Sequence, residues 1–260
     1  MMKKLLAMLM ALMMLFALTV ATADDSDKQY VIDKGVLVVG ITDFAPMDYK
    51  DAEGNWIGFD ADLAKAFAAE LGVKVEFVEI DWDNKILELD GKAVDCIWNG
   101  MTLTDAVKNA MECSNPYMNN AQVVVVAADQ ADKYQTVESL KDLAFAVEAG
   151  SAGEAEVAAL GLNYTPVTAQ ADALMEVAAF TSDAAVIDAL MAAAMIGEGT
   201  SYEGLTYTIG LNSEEYGVGF RKGSDLAAEL NAFLVKCYAD GTLQKIAETY
   251  KVQAALIEQK

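Results

Sequence analysis

The sequence contains no histidine. That one absence removes Ser-His-Asp and Cys-His hydrolases, zinc proteases of the H-E-x-x-H kind and histidine acid–base chemistry. The glycines form no P-loop, and no G-x-G-x-x-G follows a strand-like run, so nucleotide phosphates have no cradle here. Three cysteines, Cys96, Cys113 and Cys237, are too few for a disulfide scaffold in a chain of 260 residues. Cys96 and Cys113 can pair if the fold brings them together; Cys237 lies on the apolar face of a helix and reads as core. The remaining chemistry is acidic, with 40 Asp and Glu against 18 Lys and Arg and a net charge of −22. Such a field repels phosphate backbones and anionic lipid, which excludes a nucleic-acid partner, and it favours solubility.

The elements that must position these acids alternate along the chain. Residues 1–23 are set apart first: Lys3 and Lys4, an uncharged run over 5–20, and Ala21-Thr22-Ala23 form a signal peptide with its cleavage site. The competing reading is a retained anchor, since the uncharged stretch nearly reaches spanning length; no cysteine lies at the junction for lipid attachment. Beyond it, Val36–Ile41 is a continuous β-branched run, as a strand covered on both faces should be. Residues 60–71 read as a helix on the recurrence of Phe59, Leu63, Phe67 and Leu71, opened by Asp60 and ended by Gly72. Strands at Val73–Ile80, Ala93–Trp98, Gln122–Ala127, Phe145–Val147, Tyr164–Val167, Ala184–Ile187, Leu205–Ile209 and Tyr216–Phe220 are separated by helical patterns. This rhythm predicts an α/β protein built as two units with mainly parallel sheets flanked by helices. Ligands of open α/β sheets bind outside the carboxyl ends of the strands, so the cleft between the units is the expected site.

The stretch VGITDFAPMDYKDAEGNWIGFDADLAKAFAAELGVKVEFVEIDW, from Val39, resembles the start of family 3 of the bacterial extracellular solute-binding proteins, the polar amino-acid receptors of ABC transporters. The likeness continues through GKAVDCIWNGMTLT, SNPYMNNAQVVVV, SLKDLAFAVEAGSAGE, DAAVID, YGVGFRKGSDL and DGTLQKIAETY, in family order and across 35–250. The resemblance implies a two-lobed periplasmic-binding-protein fold of type II, with lobe 1 over 30–121 and 213–260 and lobe 2 over 122–212. It implies a monomer that closes on a small-molecule ligand and docks on a permease, exported to the periplasm or cell surface, with no enzyme activity, no cofactor and no metal.

The same resemblance assigns a pocket. Phe44 and Trp82 match positions where aromatic rings flank the ligand, to pack an aliphatic stem or stack under a cation. Gly100 and Thr102 match the turn that offers backbone and hydroxyl groups to a carboxylate. Gly150 and Ser151 match the second-lobe loop that meets it from the other side at a helix start. Asp188 matches the acid that takes an α-ammonium group; Glu148 and Asp43 complete the set.

Two positions depart from the family pattern. Where an arginine forks onto the ligand carboxylate, three residues after the second Thr of the T-x-T block, this chain has Val107, with Lys108 turned about a hundred degrees away on a helix. At Glu148 it has an acid where some relatives place a lysine or a neutral polar group. Three readings follow: an amino acid held by backbone and helix-end donors, which is favoured; a cationic amine such as a polyamine; or a dehydratase-like enzyme on the same scaffold.

Overall fold

A computed structural model describes residues 26–260, so the signal peptide expected at 1–23 lies outside the described residues. The described residues open with α1 (Asp27–Lys34), a helix absent from the sequence-based expectation. Ser26 caps it by accepting the Gln29 N–H at 3.0 Å, and Gly35 closes it with φ 73°. Then come β1 (Val36–Ile41), a short hairpin of β2 (Tyr49–Lys50) and β3 (Trp56–Ile57), α2 (Phe59–Glu70), β4 (Lys74–Glu79) and α3 (Lys85–Asp90). β5 (Cys96–Thr102), α4 (Asp105–Ala110), β6 (Glu112–Cys113) and β7 (Met118–Asn120) complete the first pass. A second run holds β8 (Gln122–Ala127), β9 (Ala144–Glu148), α5 (Ala152–Ala159), β10 (Asn163–Val167), α6 (Gln170–Ala178), β11 (Ala184–Asp188), α7 (Ala189–Met195) and β12 (Leu205–Gly210). The chain returns through β13 (Glu214–Phe220) to α8 (Leu226–Ala239) and α9 (Thr242–Thr249).

The strands make two main sheets, one per lobe. The first has the order β4-β1-β5-β13-β6, with β7 also paired to β13; the second runs β10-β9-β11-β8-β12. In each, three neighbouring strands are parallel (β4, β1, β5 and β10, β9, β11), and the strands that link the lobes are antiparallel to them. The central parallel strands are covered on both faces, which is why they read as apolar runs: the consecutive residues Val39, Gly40 and Ile41 are buried in one lobe, and Phe145, Ala146 and Val147 in the other. Among the described residues no helix is long and apolar enough to cross a membrane.

Two sequence expectations are revised, and the open pairing of Cys96 with Cys113 is answered. Asp60 does not cap α2; the cap is Gly58, and the Asp60 carboxylate is fully buried. The strand expected at Ala93–Trp98 is β5, shifted toward Thr102, because residues 93–95 form the approach to it and Asp95 is spent on the N–H of Val38 at 2.8 Å. Cys96 and Cys113 are free thiols, as is Cys237. Their strands β5 and β6 flank β13 on opposite sides, pairing with its Phe220 and Gly219, so a full strand separates them. Cys237 is buried in the core under α8, as its helical face predicted.

Candidate ligand-binding site

The parallel strands of both sheets end at a common place between the lobes. Phe44 follows β1, Trp82 follows β4, and Asn99 and Gly100 lie near the end of β5. From the other lobe come Glu148 at the end of β9, Ser151 and Ala152 at the start of α5, Gln170 opening α6 after β10, and Asp188 at the end of β11. Together these nine residues enclose a cavity of about 20 Å³. Six residues expected from sequence are therefore brought together: Phe44, Trp82, Gly100, Glu148, Ser151 and Asp188.

The other three lie elsewhere. Asp43 is exposed and outside the cavity lining, although it adjoins Phe44. Thr102 borders the grooves on either side rather than the cavity, and its hydroxyl donates to Glu214 Oε1 at 2.9 Å. Gly150 marks a close approach of the lobes: its carbonyl accepts from Lys85 Nζ at 2.9 Å, and a Cβ there would fall 2.7 Å from the Asp83 Cα.

Gly100 is held open by the residue that fails to cap α2. Its N–H donates to Asp60 Oδ2 at 2.6 Å, and the same oxygen accepts the Tyr117 hydroxyl at 2.8 Å. This fixes Gly100 at φ 56°, with the Phe44 ring so close that a Cβ would lie 2.4 Å from it. Phe44 in turn meets Tyr216 edge to face, centroids 6.4 Å apart. Burial pushes the Asp60 carboxyl up to about 7.

Asp188 is the hub of a polar network that sequence reasoning missed. Its Oδ1 accepts from the Tyr216 hydroxyl at 2.6 Å, from Gln122 Nε2 at 3.1 Å and from Asn120 Nδ2. Gln170 closes the other side, donating through Nε2 to Oδ2 and accepting the Asp188 N–H at 2.9 Å. Asn120 and Gln122 also donate to Glu214 Oε1 at 2.6 and 2.8 Å, and Asn212 donates to its Oε2 at 2.9 Å. The register explains the convergence: Asp188 stands opposite Gln122, and Glu214 opposite Asn120. Burial, then the neighbouring Glu214, raise the Asp188 carboxyl to about 7.

Glu148 contrasts with it. It is 3% exposed, and its Oε1 has no hydrogen-bond partner. Burial first and the Asp188 charge second push its carboxyl up to about 8, while Lys85 pulls the other way. Lys85 is itself buried, and its ammonium donates to the carbonyls of Trp82 at 3.0 Å and Gly150 at 2.9 Å. Burial lowers its pKa. Arg221, the only arginine, is remote from all this. It pairs with Asp27 at 3.0 Å and Asp95 at 3.5 Å, at the opposite end of the first sheet. Val107 is buried in a small core with Trp82, Met101 and Met111.

Two lobes of parallel-stranded α/β structure, with an enclosed polar cavity at the strand ends between them, define a two-lobed binding protein. The comparisons with known proteins agree. The pattern of the bacterial extracellular solute-binding proteins, family 3, matches residues 37–253, and the chain belongs to that family. It is 29% identical over 256 residues to the arginine-binding extracellular protein of Bacillus subtilis, spanning 96% of this chain and 98% of that one. A mutant of the arginine-binding protein of T. maritima has a TM-score of 0.81 at 32% identity, over 86% of this chain and 99% of that chain. An ancestral amino acid-binding protein, a precursor of cyclohexadienyl dehydratase, has a TM-score of 0.80 at 34% identity, with the same coverage. The family and these relatives are binding proteins, found outside the cell or in the periplasm where their names say so.

Proposed function

We propose that this chain captures a small ammonium-bearing solute, an amino acid or a close amine derivative, in the interlobe cavity and presents it to the permease of an ABC transporter. The observation that carries the reading is the pairing, in one enclosed space, of two aromatic rings (Phe44, Trp82) with two buried carboxylates (Glu148, Asp188). Rings supply a flat apolar wall that also attracts cations, and the carboxylates supply the countercharge. The family places amino acids first among candidate solutes, and two of the relatives above are named for arginine, itself a cation. Lobe 1 is taken as 30–121 with 213–260 and lobe 2 as 122–212; the protein works as an exported monomer without cofactor or metal.

The test is thermal denaturation of the exported chain against a panel of amino acids and small amines, since a solute that binds only the folded state must raise the melting temperature. A shift is expected with at least one cationic member and is expected to vanish in Asp188→Asn. A shift that survives that substitution would move the site elsewhere. Turnover of a bound cyclic acid would instead place the chain with the dehydratases.

A further inference from the structure

The interlobe cavity has a neighbour. Trp82, Ser151 and Ala152 line both it and a larger cleft of about 540 Å³, whose remaining walls are mostly apolar, with Val107, Met101, Ala155 and Tyr164 among them. A solute too large for the small cavity would have to extend past Trp82 into this annex.

Most of the groups expected to receive a carboxylate are already engaged within the protein. The Gly100 N–H donates to Asp60, the Thr102 hydroxyl to Glu214, and the Gly150 N–H to Glu154 Oε2 at 2.7 Å. The Asp188 N–H is taken by Gln170. The Ser151 N–H donates to the Glu148 carbonyl at 3.2 Å, and its Oγ accepts from the Glu154 N–H at 3.0 Å, which leaves the Ser151 hydroxyl proton as the one such donor still free. Among the described residues no cationic side chain lines the cavity. Lys85 borders only the annex, with two of its three N–H groups directed at carbonyls. Against this stands Glu148, nearly fully buried, with an oxygen that lacks a donor and no ion-pair partner among the described residues. A buried acceptor without a donor is costly, and an arriving ammonium group relieves it. A carboxylate carries no donor to offer that oxygen.

We infer that the solute is an amine without a free carboxylate: its cationic head sits between Glu148 and Asp188, and its uncharged body runs along Trp82 into the annex walled by Val107. This rests on the interlobe cavity being the binding site, as proposed above, and names which members of that solute class it selects.

Matched pairs that differ only in the carboxylate test it directly: phenylalanine with phenethylamine, leucine with isoamylamine, and arginine with agmatine, each titrated calorimetrically into the exported chain. The decarboxylated member is expected to bind at least about tenfold tighter, a difference of about 1.4 kcal/mol. Glu148→Gln should cost the amine at least about tenfold while the unliganded protein keeps its melting temperature or gains. Val107→Arg, which puts a cation on the annex wall, should move the preference back toward the amino acid. An amino acid that binds as tightly as its amine, or tighter, overturns the inference. If Asp188→Asn then abolishes that binding, the solute-binding reading still stands. No binding by either member of any pair ends both.

Discussion

The hydroxyl of Tyr216, on β13 of the first lobe, donates to Asp188 Oδ1 at the end of β11 in the second, at 2.6 Å. One hydrogen bond thus joins a strand that links the lobes to the principal acid of the cavity. Tyr216→Phe removes it while keeping the ring that packs against Phe44. Loss of a donor to a buried carboxylate is expected to lower stability by about 1–3 kcal/mol, read from urea denaturation. Because that bond also holds the Asp188 carboxyl down, its pKa should rise further from about 7 in the variant.

Stability without ligand should depend on pH in a stated direction. Glu148 rises from an ordinary 4.5 to about 8, and Asp188 from 3.8 to about 7. Between those limits the folded state holds protons that the unfolded chain has released, so stability is full below pH about 4 and declines as pH climbs through about 8. Calorimetric melting temperatures should fall across that window, and Glu148→Gln should flatten the fall. An unchanged slope in the variant would remove Glu148 from the account.

Gly100→Ala should damage the site from behind. The new methyl group would stand 2.4 Å from the Phe44 ring on a backbone held at φ 56°. A cost of about 1–3 kcal/mol is expected, together with weaker binding of any solute that touches Phe44. Unaltered affinity would mean that this ring is not part of the contact surface.

Arg221→Met should separate fold from function. It strands the buried Asp27 and leaves Asp95 to Lys34, 2.6 Å away, and is expected to cost about 3–5 kcal/mol. Arg221 lies beyond the starts of β1 and β5, whereas the cavity lies beyond their ends, so solute affinity at a temperature where the variant is folded should be unchanged. A selective loss of affinity would contradict that separation.

Much of this arrangement was legible in the chain. The apolar runs of β1, β8 and β11 announced strands covered on both faces, and the ordered motifs placed Phe44, Trp82, Glu148, Ser151 and Asp188 on one cavity. The polar network was not legible, because Asn120, Gln122, Gln170 and Glu214 have no spacing that relates them; the antiparallel registers of β7 with β13 and of β8 with β11 bring three of them to Asp188, and the start of α6 adds Gln170. Asp60 misled for a related reason. An acid at a helix start looks like a cap, and only the tertiary fold reveals that it serves an N–H on β5, 40 residues away. The short hairpin and α1 were missed for lack of an apolar stripe, although Ser26 and Gly35 carry the start and stop signals of a helix.

The two linking segments lie side by side, with Asn120 paired to Glu214, and the side chains of this ribbon grip Asp188 directly. The acid proposed to meet a solute's charge is therefore tied to the segments that join the lobes rather than set on a remote wall. A rotation of one lobe against the other would twist the ribbon and alter the same hydrogen bonds that a solute at Asp188 would perturb. Occupancy and posture would then be two readings of a single joint, with no relay through the core needed to connect them.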